Sequence, residues 1–228
     1  MMKMRKKSTC RIATPVSDCH KSTAGTMLLP MISGILLGIT AKLVDVPYIT
    51  CDYPVFDDMM GRFGIWVWAA ALIAVRSRTP FHAAVRSFVF FVGMLSAYYG
   101  YTVLFLKFFP GSQMVLWGGI AMITPFCGFL MWHIHKNTSY ADLIASLPFV
   151  LFFTEWYLTA FTAQNWSYKD RLLLFIAYLC MTLSLAAAIP TNKRRIFSLF
   201  YAMLLSVVLI WLIQAGIMVN FYDRLLNV

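Results

Sequence analysis

From residue 27 onward, long apolar runs alternate with short stretches that contain charged residues, proline or glycine. Within the runs, apolar and polar residues do not alternate as they would in a lipid-facing β-strand. Most runs approach or exceed the roughly 20 apolar residues that a transmembrane helix needs. We therefore predict an all-α polytopic bundle of about seven transmembrane helices. The predicted spans are 27–44, 61–75, 83–109, 113–133, 142–163, 172–189 and 196–221, and the second is the shortest.

The composition supports this prediction. Of the 228 residues, 61% are hydrophobic and 12% are charged, and the mean hydropathy is +0.73. A soluble domain has about 25% charged residues, so too few polar side chains are present to cover a water-exposed surface. The lipid bilayer is therefore the expected surroundings. The net charge of +10 is then explained by loops that stay in the cytoplasm, and we do not expect a nucleic-acid partner.

The distribution of lysine and arginine predicts the orientation, because these residues are enriched in cytoplasmic loops. With the N-terminus inside, thirteen of the nineteen basic residues fall on the cytoplasmic side. The outer segments hold only Lys42, Arg62, Lys107, Lys169, Arg171 and Arg224. We predict the N-terminus inside and the C-terminus outside.

Two parts of the chain differ in character. Residues 1–26 are polar and basic and predict a cytoplasmic arm that lies against anionic lipid headgroups. No small-residue cleavage site follows the first apolar run, so we expect an uncleaved first span and not a secretion signal. Residues 27–228 are predicted to form a single transmembrane bundle domain.

Glu155 is the only glutamate in the chain, and it lies within an apolar run. A carboxylate inside a membrane is costly unless it is protonated, paired or in contact with a wet cavity, so it is a functional-site candidate. Thr159 and Thr162 fall on the same face of the predicted helix. Two alternatives follow: Glu155 contacts a solute or carries a proton, or it is a structural acid that is hydrogen-bonded to a neighbouring helix.

Other polar and aromatic residues are predicted at a similar depth in the outer half of the bundle. Lys42 and Asp45 end the first span, where they could pair with each other or bind an ionic ligand. Convergence of such groups at one level is typical of a small-molecule pocket, although an aromatic belt at the interface would also explain the tryptophans. The predicted binding residues are Glu155, Lys42, Asp45, Arg62, Trp66, Tyr98, Tyr99 and Gln214.

Gly34 and Gly38 are four residues apart in the first span and form a small-residue face. Such a face lets another helix backbone approach closely. It therefore predicts either tight packing within the chain or a surface that docks another membrane protein.

Familiar catalytic motifs are absent from the sequence. A single glutamate excludes an H-E-x-x-H motif, and neither a G-x-S-x-G elbow nor a phosphate-binding loop is present. His133 and His135 are two residues apart, a spacing that directs them to different sides of a helix, so we expect no metal site there. We therefore expect no enzyme activity and no cofactor.

Three stretches of the first half resemble small multi-pass bacterial membrane proteins to which no activity is assigned. They are residues 34–45 (GILLGITAKLVD), 64–67 (GIWV) and 90–99 (FFVGMLSAYY). In size, inside N-terminus and small-residue first helix, the chain is also similar to the substrate-binding subunits of energy-coupling-factor vitamin transporters. That resemblance implies an outward-facing pocket, but those subunits usually have six helices, and the predicted seventh departs from this pattern.

Together these features lead to one functional hypothesis and one alternative. We expect a multi-pass protein of the bacterial cytoplasmic membrane that binds or transports a small solute through an outward-opening polar pocket centred on Glu155. The alternative is a non-catalytic partner or assembly subunit that docks through Gly34 and Gly38.

Overall fold

The computed structural model describes residues 23–44, 54–107, 109–136, 139–162 and 166–215. These residues form helices and short connections, and no strand occurs among them. The helices are α1 Thr23–Val44, α2 Pro54–Gly61, α3 Phe63–Val75, α4 Pro80–Leu106, α5 Gly111–Trp132, α6 Ser139–Thr162, α7 Tyr168–Ala188 and α8 Asn192–Gln214, with a single 3₁₀ turn at His133–His135 after α5. The all-α prediction is confirmed.

Six of these helices are long and apolar enough to cross a membrane: α1, α4, α5, α6, α7 and α8. The chain is therefore a multi-pass membrane protein. The second predicted span, 61–75, is wrong as a single crossing helix. The chain breaks at Arg62, and α3 has 13 residues, which is about 20 Å of helix against a hydrocarbon core of about 30 Å.

The contacts between α1 and α4 show how the chain passes through this broken segment. A side chain added at Gly34 would meet Phe90, and one at Gly38 would meet Met94. One turn further on, the Lys42 ammonium lies over the Tyr98 ring. Contacts that advance together along both helices mean that α1 and α4 run in the same direction. The chain through α2 and α3 must therefore return to the end of the bundle where α1 begins.

The face that Gly34 and Gly38 form is covered within the chain. A Cβ at Gly34 would meet the backbone of Phe90, and a Cβ at Gly38 would lie 3.2 Å from Met94 Cα. From the opposite side, a Cβ at Gly93 would lie 2.8 Å from the carbonyl oxygen of Met31. The two backbones thus pack in direct contact. The prediction that this face docks a partner is corrected, because α4 already occupies it.

Contacts of basic side chains connect the helices at one end of the bundle, which we call the basic end. The charge distribution predicts that this end is cytoplasmic. Arg194 at the start of α8 donates to the carbonyl oxygen of Ile134 at 2.8 Å and lies 3.8 Å from the carboxylate of Asp142 at the start of α6. These contacts place the starts of α6 and α8 together, and the two helices pack against each other, so they run in the same direction. The Trp132 indole donates to Ser77 O at 3.1 Å, which joins the end of α5 to the turn between α3 and α4.

Candidate functional site

The Glu155 carboxylate caps the N-terminus of α3, directly after the break between α2 and α3. The first turn of any helix has backbone N–H groups without partners inside the helix, and Arg62, the residue before α3, supplies no side-chain cap. Glu155 reaches across from α6 instead. Its Oε1 accepts from Phe63 N at 3.1 Å and its Oε2 from Gly64 N at 2.8 Å. A carboxylate at this position also interacts favourably with the positive end of the helix dipole.

Glu155 is buried and has further partners on α7 and at the helix break. The Tyr178 hydroxyl of α7 donates to Oε2 at 3.0 Å, and Arg62 lies close enough to attract the carboxylate electrostatically. Glu155 is 8% exposed. Its position therefore joins α3, α6 and α7 in the interior, and it fits the structural alternative better than a solute contact.

Gly64 makes this close approach of the carboxylate feasible. A Cβ at position 64 would overlap Glu155 Oε2 and would lie 3.0 Å from a ring carbon of Tyr178. Any larger residue would push the carboxylate away from the N-terminus of α3. Gly64 is thus required by the packing around Glu155.

Tyr178 provides a direct test of this arrangement. We expect Tyr178→Phe to lower the free energy of unfolding by about 1–2 kcal/mol, because one hydrogen bond to a buried carboxylate is lost. Tyr201→Phe is the matched control, since Tyr201 is 40% exposed on α8. Unfolding in detergent micelles titrated with denaturing surfactant measures both. Equal stability of the two variants would contradict the proposed hydrogen bond.

A cavity of about 290 Å³ lies on the opposite side of the first turns of α3, and we call it the aromatic chamber. It is bordered by the joint between α2 and α3, by α4 and by the start of α5. The lining residues are Met60, Gly61, Trp66, Met94, Leu95, Tyr98, Tyr99, Gln113, Leu116 and Trp117. Three of the predicted binding residues, Trp66, Tyr98 and Tyr99, therefore lie around one space.

The walls of the aromatic chamber are held in place by specific contacts. The Trp66 indole donates to the carbonyl oxygen of Met60 at 3.1 Å, which ties α3 to the end of α2. The rings of Tyr98 and Tyr99 meet edge to face with centroids 5.3 Å apart. Lys42 Nζ lies 4.8 Å from the centroid of the Tyr98 ring, a favourable cation–π distance. Lys42 thus belongs to the chamber's surroundings.

The other predicted binding residues are separated from this chamber. Glu155 does not line it, because the carboxylate points to the N-terminus of α3. Gln214 is exposed at the end of α8, a helix that packs mainly on α6. Arg62 is half-buried at the helix break, beside Glu155. Asp45 lies outside the described residues. The expectation of one pocket centred on Glu155 is therefore corrected to a pocket centred on aromatic residues.

Several residues of the site were not predicted from the sequence. Gln113 and Trp117 come from the start of α5, and their depth at the outer end of that span was the available signal. Tyr178 is a polar residue deep in an apolar run, which is the same signal that marked Glu155. Gly64 showed no sign of its packing role in the sequence. Among the described residues, no group of three or more His, Cys, Asp or Glu side chains could hold a metal ion.

Comparisons with known proteins identify no relative, so a function can be argued only from the geometry of the site. No family model, curated protein or solved structure matches the chain. The arrangement itself offers an aromatic, partly polar chamber beside a discontinuous helix, which suits reversible binding of a small molecule.

Proposed function

We propose that this protein binds a small solute in the aromatic chamber, from the side of the membrane that the charge distribution predicts to be external. The observation that carries this proposal is the chamber of about 290 Å³ between α2, α3, α4 and α5, with aromatic rings and one amide in its wall. Small-molecule sites commonly combine an apolar, aromatic lining with a few polar groups that orient the ligand. Gln113, Tyr98 and Tyr99 are the lining residues that carry polar groups.

The lining favours a planar aromatic or heterocyclic solute of one or two rings. A cavity of about 150 Å³ accommodates benzene, so a volume of about 290 Å³ has room for a two-ring molecule. A cationic solute is disfavoured, because the Lys42 ammonium already lies against the face of Tyr98 and would repel a second positive charge. A neutral or anionic ring compound fits these constraints.

The break between α2 and α3 could couple solute binding to a change in the angle between these two helices. Met60 and Gly61 line the chamber from the end of α2, and Trp66 lines it from α3. A solute that contacts both segments would therefore favour one angle between them. Discontinuous helices beside a substrate site are a recurrent feature of membrane transporters. This supports transport of the bound solute as the larger role.

Binding can be tested with one ring system that carries three different charges. We expect indole or indole-3-acetate, at about ten times its Kd, to raise the thermal unfolding midpoint by about 3 °C. Tryptamine should give a smaller rise because of its positive charge. Tyr98→Leu should remove the effect, whereas Tyr201→Leu on the exposed face of α8 should retain it. Equal rises in both variants would show that the ligands bind elsewhere, and no rise with any of the three compounds in the wild type would overturn the assignment to ring compounds.

A further inference from the structure

A second cavity lies between α5 and α6 and is separate from the aromatic chamber. It is a groove of about 270 Å³ that is bordered by α3, α4, α5 and α6. Its walls include Ala70 and Ala74 of α3, Cys127 and Met131 of α5, and Ile144 and Leu147 of α6. We call it the lateral groove. Its lining is almost entirely apolar, so it does not suit the polar solute of an aqueous pathway.

The lateral groove opens sideways, where the bundle faces lipid. Ile123 and Leu147, on opposite sides of the mouth, are 58% and 52% exposed, and Cys127 is also exposed. The helices α5 and α6 follow one another in the chain but make few contacts with each other. Pro148, within α6, forms part of the wall between them. Lipid tails therefore have direct access to the groove from the membrane.

The length and depth of the groove match one leaflet of a bilayer. On α3 the lining extends from Phe63 to Ala74, and on α5 from Ile120 to Met131. Each stretch is about three helical turns, or about 16 Å. The hydrocarbon core is about 30 Å thick, so the groove extends over about half of it. It begins near the basic end, at Ala74 and Met131, and ends near the helix break at Phe63.

Basic residues lie at the end of the bundle where the groove begins. Lys136 lies five residues after Met131, just past the 3₁₀ turn that follows α5, and Arg86 precedes the lining residue Ser87 on α4, where it donates to the Ser77 hydroxyl at 3.4 Å. Lys136 Nζ lies 5.4 Å from the centroid of the Trp132 ring. Asp142, an acidic residue described at this end, faces Arg194. The local charge is therefore positive, which attracts anionic headgroups.

We infer that the lateral groove is a binding site for an anionic phospholipid of the leaflet at the basic end. One acyl chain lies in the groove, and the phosphate-containing headgroup lies beside Arg86 and Lys136. The lateral opening admits the chain, the length of one leaflet accommodates it, and the positive rim selects the headgroup. This site is independent of the solute proposed for the aromatic chamber.

Native mass spectrometry of the delipidated full-length protein tests the inference with phosphatidylglycerol and phosphatidylcholine that have identical acyl chains. We expect one phosphatidylglycerol to bind at least about ten-fold more tightly than further copies. Cys127→Trp should fill the groove and remove this tight binding. Cys180→Trp is the matched control, because Cys180 is also exposed on a membrane helix but lies on α7, outside the groove. Leu147→Trp fills the groove from the opposite wall and serves if Cys127→Trp does not fold.

The headgroup preference has its own test. Lys136→Gln should weaken binding of phosphatidylglycerol about five-fold, as expected for the loss of about 1 kcal/mol of attraction from one basic residue, and should leave phosphatidylcholine binding unchanged. Equal affinity of the wild type for both lipids would overturn the role of the basic rim. Absence of a single tight lipid in the wild type, or its retention in folded Cys127→Trp and Leu147→Trp, would overturn the site itself.

Discussion

Replacing Glu155 with alanine should lower the free energy of unfolding by about 3–5 kcal/mol. The substitution leaves the backbone N–H groups of Phe63 and Gly64 and the Tyr178 hydroxyl without their acceptor. Unsatisfied buried donors cost about 1–3 kcal/mol each, and the membrane interior offers no water to replace the carboxylate. Surfactant-induced unfolding of the purified variant measures the loss. Since proteins of this size have only about 5–15 kcal/mol of stability, we also expect reduced expression.

Glu155→Gln separates the capping role from a role in solute binding. An amide oxygen can accept from one of the two N–H groups, but the amide NH₂ group cannot accept from the other. We therefore expect about half of the alanine effect on stability. Ligand-induced shifts from the aromatic chamber should persist in the folded fraction of this variant. Loss of ligand binding at unchanged stability would contradict the capping role and restore Glu155 to a functional site.

The apolar pattern was sufficient to predict the long helices, because a bilayer demands a minimum length of apolar sequence whatever the tertiary contacts are. Their ends were predicted less well. The helix α7 begins at Tyr168, four residues before the predicted start, because Ser167 and Asp170 form a capping box. Lys169 and Arg171 in this first turn are polar, so a hydropathy pattern does not include them in the span.

The break at Arg62 could not be predicted from local sequence. The start of α3 is stabilised by Glu155, which is 91 residues away from Gly64 along the chain. The sequence predicts Glu155 as a pocket residue because its depth can be read from the apolar pattern, whereas its hydrogen-bond partner cannot. That partner is the N-terminus of α3, and only the three-dimensional arrangement shows it.

For the residues of the candidate site, the sequence predicts their depth in the membrane but not the direction in which each side chain points from its helix. The sequence predicts Trp66, Tyr98 and Tyr99 at one level, and they line one chamber. It predicts a similar depth for Gln214, which is exposed at the end of α8. Rotation of each helix about its axis depends on packing against its neighbours. A sequence with weak amphipathicity carries little information about that rotation.

Replacing Gly34 with isoleucine should separate α1 from α4 and lower the free energy of unfolding by about 3 kcal/mol or more. Even a Cβ atom at this position would overlap Phe90 O and would lie 3.0 Å from Phe90 C and 3.1 Å from Met94 N. These are backbone atoms of a rigid helix, so a rotamer change cannot relieve the contact. Close packing of backbones is a main source of helix association in lipid, and the substitution removes it along the whole α1–α4 contact.

Gly119→Ile is the matched control, because a Cβ built at Gly119 on α5 would meet nothing within 4 Å apart from the nearby backbone of its own helix. Surfactant-induced unfolding compares the two variants, and distances between spin labels on α1 and α4 report the separation directly. Because Lys42 at the end of α1 lies over Tyr98, displacement of α1 should also alter ligand affinity in the aromatic chamber. If Gly34→Ile and Gly119→Ile are equally stable, the contact between α1 and α4 does not hold the fold together, and the face of Gly34 and Gly38 is again open to a partner.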